Sequence, residues 1–252
     1  MYFVENVCTP SSEAEIAYCE TAIQLGVLNH QALLAIDTYE QCLYLEDGNS
    51  EAVEGVFQKM KKAVLDILDK IDSIIRGFLD GIKGGSDNRL TADKYFTSET
   101  GKINLNKDIL EMQKTVDEEF LEMRKVVKMI SNTTGFDPEK VGKACDKINE
   151  KLHENRHKLK AGATAAVESA IVYKKVKSNT SKIKELDVWR KETYDSIERM
   201  SRYGHKNSKE EPKKVTPMMK AFNKVAVTIG NLVDECVYIS NDVTKAMSKV
   251  KK

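Results

Sequence analysis

The chain has 252 residues, of which 41% are hydrophobic, 31% are charged and 7% are aromatic, with only four prolines. This composition excludes a disordered or collagen-like chain and favours long helices over a β-sandwich or barrel. The five cysteines are scattered without a CxxC pair, which indicates reduced thiols and excludes a dense disulfide framework. We therefore expect an all-α fold, an elongated multi-helix bundle of long amphipathic helices with heptad-like seams.

The charges are divided sharply along the chain. The formal net charge is only +1, yet the first 58 residues contain ten carboxylates and neither lysine nor arginine. The remaining residues therefore carry a net charge of about +11. We expect the acidic segment to contact basic helices, either within one chain or between neighbouring copies.

Residues 1–49 are predicted to form an acidic helical hairpin. Ser12 followed by Glu15 has the spacing of a capping box that opens a helix towards Leu25, and Asn29 can cap a second helix.

Residues 50–203 are predicted to form a bundle of long helices. Its first helix begins at Ser50, ends at the glycines that follow residue 83, and has eight apolar positions at heptad spacing: Val53, Phe57, Met60, Val64, Ile67, Ile71, Ile74 and Phe78.

This spacing makes a prediction about two adjacent residues. Ile71 lies on the apolar stripe, whereas Asp72 is predicted to be solvated. We therefore expect Ile71→Asp to be far more damaging than Asp72→Ala.

The polar residues 85–104 are predicted to form a surface loop. A second helix follows, with apolar positions at Ile109, Met112, Val116, Phe120, Met123, Val127 and Ile130. Asp137 and Pro138 are an N-cap and a first helical residue, and one very long helix is predicted from there to about residue 200. Its small-residue run at 162–170 would allow a neighbouring helix to approach closely. A linker at 204–216 and a C-terminal packing helix at 217–252 complete the chain.

One motif suggests catalytic chemistry. His153, Glu154 and His157 form HExxH, in which two histidines one helical turn apart hold zinc and the glutamate activates water. The motif lies among cations, on the side of the helix opposite its apolar stripe, and the third ligands it would need, Glu168 or Glu185, have no supporting pattern. A zinc-dependent hydrolase is therefore an alternative only, and we expect no catalytic, cofactor-binding or metal-binding residues.

Two other binding functions have weak signals. The lysines between residues 140 and 214 are interspersed with acidic residues and few aromatics, which favours a solvated helix face over a nucleic-acid interface. The amphipathic stretch 53–82 could bind a membrane, so a pore-forming or membrane-remodelling protein is the first alternative, ahead of the zinc hydrolase.

The chain resembles structural proteins from the virions of large tailed bacteriophages. The resemblance lies in an acidic helical start, the amphipathic stretch AVEGVFQKMKKAVLDILDKIDSIIRGFLDGIKGG and the lysine-rich long helices that follow. It implies a non-enzymatic protein without cofactors, present in many copies in the capsid interior or tail. Its partners would be itself, as a homo-oligomer, and other virion structural proteins. The N-terminus has no signal-peptide pattern, so the resemblance implies synthesis in the host cytoplasm and localisation to the virion.

Overall fold

The structure, a computed structural model, describes residues 13–45, 50–84, 102–131, 136–158, 164–203 and 212–249. These residues form six helices and one two-stranded antiparallel sheet, so the predicted all-α class is confirmed. The elements in chain order are α1 (Glu13–Leu45), α2 (Ser50–Gly84), β1 (Lys102–Asn106), α3 (Ile109–Ser131), α4 (Pro138–Lys158), β2 (Thr164–Glu168), α5 (Ser169–Tyr203) and α6 (Pro212–Lys249).

The C-terminal helix α6 lies at the centre of the bundle. It packs against the other five described helices and against β1, and contacts between its neighbours give the order α1, α2, α5, α3, α4 around it. A helix enclosed in this way must be apolar on most of its circumference. Its predicted apolar positions are accordingly buried at Phe222, Val225, Ile229, Leu232, Cys236, Ile239 and Val243.

Helices α2 and α3 form where the apolar spacing predicts them. In α2, the buried members of the predicted stripe are Phe57, Met60, Val64, Ile67, Ile71 and Phe78, whereas Val53 and Ile74 are half-buried. All seven apolar positions predicted for α3 are buried. The N-cap predicted for α4 is also confirmed, because Asp137 Oδ1 accepts hydrogen bonds from the backbone N–H groups of Glu139 and Lys140, each at 3.1 Å.

The prediction that Asp72 is solvated is wrong. Its side chain is only 20% exposed, and its carboxylate binds Arg190 of α5 at 2.7 Å and Arg76 at 2.6 Å. The Arg190 side chain is itself only 7% exposed and also contacts Asp187 at 2.9 Å. Helix α5 covers this side of α2, which the periodicity of α2 alone cannot indicate.

The predicted N-terminal hairpin is also wrong, because α1 is one continuous helix of 33 residues. Asn29 is not a cap but lies inside the helix, where its Oδ1 accepts a hydrogen bond of 2.7 Å from Asn223 of α6. Leu25 and Ala32 on the same side are buried. Their burial offsets the cost of Gly26 in the helix interior, which is about 1 kcal/mol relative to alanine.

The single long helix predicted from residue 138 to about residue 200 is interrupted. Helix α4 ends at Lys158, and the small-residue run enters β2, which pairs antiparallel with β1 and sets Val167 opposite Ile103. Pairing with β1, whose Ile103 and Leu105 are buried, overrides the helix propensity of the alanines. Strand β1 begins at Lys102, so it includes the last residues of the predicted loop 85–104. Residues 85–101 of that loop lie outside the described part of the chain.

The C-terminal helix begins earlier than predicted. It starts at Pro212 and contains Pro217 within its second turn, so residues 212–216 of the predicted linker are helical and residues 204–211 lie outside the described part. Val215 and Thr216 are already buried, because this first turn packs into the bundle. Burial of Val215 and Thr216 favours a helix at residues 212–216, where the polar composition of the sequence had indicated a linker.

Candidate interaction surface

Exposed apolar side chains are concentrated on the outward side of α1. Most of the large exposed hydrophobic side chains of the described residues lie on this one helix: Ile16, Ile23, Val27, Leu33, Leu34 and Tyr44. Ile16, Ile23, Val27 and Leu34 are 43–54% exposed and share one helical stripe, because their spacing of 7, 4 and 7 residues follows a heptad. We call this stripe, with the polar residues at its intervening heptad positions, the outer face of α1.

A second apolar stripe occupies the opposite side of α1. Its buried members are Tyr18, Leu25, Ala32, Ile36 and Tyr39, which pack into the core formed with α2 and α6. One such stripe is sufficient to attach a helix to its own bundle. The outer face is therefore additional apolar surface that intramolecular packing does not require.

Polar contacts hold α1 in a fixed orientation on α6. The Tyr18 hydroxyl donates a short hydrogen bond to Glu235, and the Tyr18 ring stacks on Tyr238 with 4.6 Å between centroids. Near the other end of α1, Lys220 binds Glu40 at 2.8 Å and lies 3.6 Å from Asp37. The hydrogen bond to Glu40 raises the pKa of Lys220. These contacts fix which side of α1 points away from the core.

The outer face of α1 carries a distinctive set of polar groups. Glu20, His30 and Asp37 are exposed between or beside the aliphatic residues, and no lysine or arginine precedes Lys59 in the sequence. Among the described residues, Lys220 is the one lysine or arginine that forms an ion pair with any of these three side chains, and its partner is Asp37. The outer face of α1 is therefore mainly apolar and weakly acidic.

A buried polar cluster connects α3 and α5 beside the central helix. Gln113 and Asn179 exchange two amide hydrogen bonds of 2.7 and 2.9 Å, and Asp117 bridges Gln113 to Lys182. Burial raises the pKa of neighbouring Cys236 to about 12, which removes the thiolate needed for nucleophilic chemistry. The cluster satisfies buried amide groups and orients two helices, so its role is structural.

The HExxH motif lies within α4. His153 and Glu154 are exposed, and the side chain of His157 is outside the described part of the structure. Of the third ligands considered, Glu168 is exposed at the end of β2, and Glu185 is bound by Arg124 at 2.8 Å. In the described ranges, no three histidine, cysteine or carboxylate side chains are grouped closely enough to hold a metal ion.

The candidate membrane segment contributes to the core. Between residues 53 and 82, the apolar side of α2 faces α1, α5 and α6, and its central residues Val64, Ile67 and Ile71 are fully buried. Among the residues that the structure describes, no helix combines the length and apolar character required to cross a bilayer.

Sequence reasoning did not identify the outer face of α1. The heptad spacing of Ile16, Ile23, Val27 and Leu34 was a usable signal, but the predicted break near Gly26 divided it between two short helices.

Comparisons of this chain with protein-family models, with curated proteins and with solved structures give no match.

Proposed function

We propose that this chain is a non-enzymatic structural or assembly protein whose copies associate through helix faces and through acidic-to-basic contacts. The observation that carries the proposal is the outer face of α1, where Ile16, Ile23, Val27 and Leu34 remain about half exposed. Several aliphatic side chains aligned on one side of a helix are typical of an interaction site, whereas single scattered exposed aliphatic residues are not. Burying the exposed half of each such side chain contributes about 1 kcal/mol to association.

Charge distribution supports association between copies. On α5, Lys174, Lys177 and Lys184 are exposed and have no ion pair within the described chain. The N-terminal segment, in contrast, is acidic over its first 58 residues. One acidic-to-basic contact is already made within the chain, between Lys220 and Glu40, and the remaining lysines are available to acidic surfaces of neighbours. Contacts of this kind weaken as salt shortens the Debye length from about 10 Å at 0.1 M to about 3 Å at 1 M.

The proposed setting is a virion, as the sequence resemblance implies, with the protein in the capsid interior or tail beside other structural proteins. The two alternatives receive less support from the described residues. Membrane insertion through residues 53–82 would require α2 to leave the core, where Val64, Ile67 and Ile71 are fully buried. A zinc hydrolase would need a third ligand beside His153, and Glu185 is already bound by Arg124.

Sedimentation velocity at increasing protein concentration tests this proposal. We expect the wild-type protein to self-associate and Ile23→Glu to be mostly monomeric, because the glutamate places a charge on the outer face of α1. The matched control is Val188→Glu, which changes a side chain of similar exposure, 50% against 53%, on α5. A wild-type protein that stays monomeric at every concentration, in low and high salt, would contradict the proposal.

A further inference from the structure

We infer that the outer face of α1 binds the same face of a second copy in antiparallel orientation, about a two-fold axis level with Leu25. This inference rests on the proposed self-association and specifies its geometry. The outer heptad positions from residue 16 to residue 34 are Ile16, Glu20, Ile23, Val27, His30 and Leu34. All six side chains are exposed.

The order of these residues is self-complementary on reversal. Residue numbers that sum to 50 meet across an axis at position 25, so Ile16 faces Leu34 of the second copy and Ile23 faces Val27. In an antiparallel pair of helices, the two kinds of heptad core position meet each other in this way. Every aliphatic residue of the stripe therefore meets an aliphatic residue at the usual helix separation of 8–10 Å.

The two polar positions of the stripe, Glu20 and His30, favour an antiparallel over a parallel pairing. Any heptad stripe can be reversed onto itself, but here Glu20 meets His30 of the second copy, an acid opposite a base. The two-fold axis creates this contact twice in each dimer. A parallel pairing would instead set Glu20 against Glu20 and His30 against His30, which is unfavourable for the carboxylates.

The ends of the paired segment are compatible with this register. The axis sets Asp37 opposite residue 13 of the second copy, which is also acidic. Lys220, 3.6 Å from Asp37 in the same chain, supplies a cation at each end and limits the repulsion. An anionic membrane is disfavoured as the occupant of this face, because its charged groups Glu20 and Asp37 are acidic.

The inference predicts a charge-swap rescue. Glu20→Lys sets a lysine opposite His30, and His30→Glu sets two carboxylates opposite each other, so each single variant should weaken dimerisation about tenfold. The double variant Glu20→Lys with His30→Glu sets a lysine opposite a glutamate in the antiparallel register and should recover the wild-type dissociation constant. A parallel pairing would not recover, because like charges would still meet at both positions.

The test measures dimer dissociation constants by sedimentation for the wild type, both single variants and the double variant, with helicity checked by circular dichroism. Lys184→Glu on α5, also exposed, serves as the control for a remote charge reversal. Single variants as tight as the wild type, or a double variant no tighter than the single variants, would overturn the antiparallel inference while leaving self-association itself intact. A monomeric wild type that floats with zwitterionic vesicles, and no longer floats with Leu34→Glu, would assign the face to a membrane and overturn the inference.

Discussion

Leu25 of α1 packs directly against Gly230 of α6, where a Cβ atom would lie only 3.1 Å from Leu25 Cδ1. The same position is 3.3 Å from Ile71 of α2, so three helices meet where α6 has no side chain. Contacts of 3.1–3.3 Å are shorter than the optimal carbon separation of about 3.5–4.0 Å. Glycine at this position therefore sets how closely α1 approaches the central helix, and with it the orientation of the outer face.

Gly230→Ala is expected to lower the free energy of unfolding by about 1–3 kcal/mol through overpacking. The matched control is Gly77→Ala in α2, where an added Cβ meets nothing within 4 Å. That change should instead raise the free energy of unfolding by about 0.5–1 kcal/mol, because alanine is the better helix former. Urea denaturation of both variants checks the prediction, which fails if the two changes have the same sign.

Three neighbouring substitutions in α2 distinguish a core position, an ion-pair position and a solvated position. Ile71→Asp places a charge in a fully buried site and should cost about 4 kcal/mol or more. Asp72→Ala removes one of the carboxylates that bind the buried Arg190 and should cost about 1–3 kcal/mol. Asp69→Ala, at an exposed position, should change stability by less than about 0.5 kcal/mol.

Thermal or chemical denaturation of these three variants tests that ranking. If Asp72→Ala were as neutral as Asp69→Ala, the contact between Asp72 and Arg190 would contribute nothing to stability. Equal losses for Ile71→Asp and Asp72→Ala would mean that the orientation of α2 is wrong.

The cysteines are expected to differ in reactivity with iodoacetamide. Burial raises the pKa of Cys145 and of Cys236 to about 12, so neither forms appreciable thiolate near pH 8. Cys19 and Cys42 are half-buried on α1 and should be alkylated before Cys145 and Cys236 in the native protein. Mass spectrometry of digests identifies the labelled sites, and labelling in denaturant provides the control. Native alkylation of Cys236 as fast as that of Cys42 would contradict the central placement of α6.

His153→Ala combined with His157→Ala is expected to leave the melting temperature unchanged and to remove no bound metal. The reason is that His153 and Glu154 lie on the exposed side of α4. Elemental analysis of the purified wild type and the double variant checks this expectation. One tightly held zinc ion per wild-type chain, absent from the variant, would revive the hydrolase alternative.

The spacing of apolar residues correctly predicted those helices that bury a single apolar stripe in the core. The positions of α3 from Ile109 to Ile130 follow a heptad and are buried, and the Asp137 cap was recognisable from local hydrogen-bonding chemistry alone. The errors have long-range causes. Asp72 is covered by α5, and the alanines of β2 pair with β1, a strand more than 50 residues earlier in the chain.

The outer face of α1 was missed for a different reason. With Leu25 and Ile23 on opposite sides, the helix is apolar in two directions, so no single amphipathic stripe marks it. Gly26 and Asn29 then suggested a break, whose absence depends on contacts of Leu25 and Asn29 with α6. Only the position of α6 reveals which apolar side of α1 remains outside.

Carbene footprinting at low and high protein concentration tests most directly whether the outer face of α1 binds another copy, because carbenes label exposed side chains of every type. As the protein associates, labelling of Ile16, Ile23, Val27 and Leu34 should fall together, whereas labelling of Leu121, 54% exposed on α3, should stay constant. Undiminished labelling of α1 in a sample whose sedimentation shows association would contradict the account.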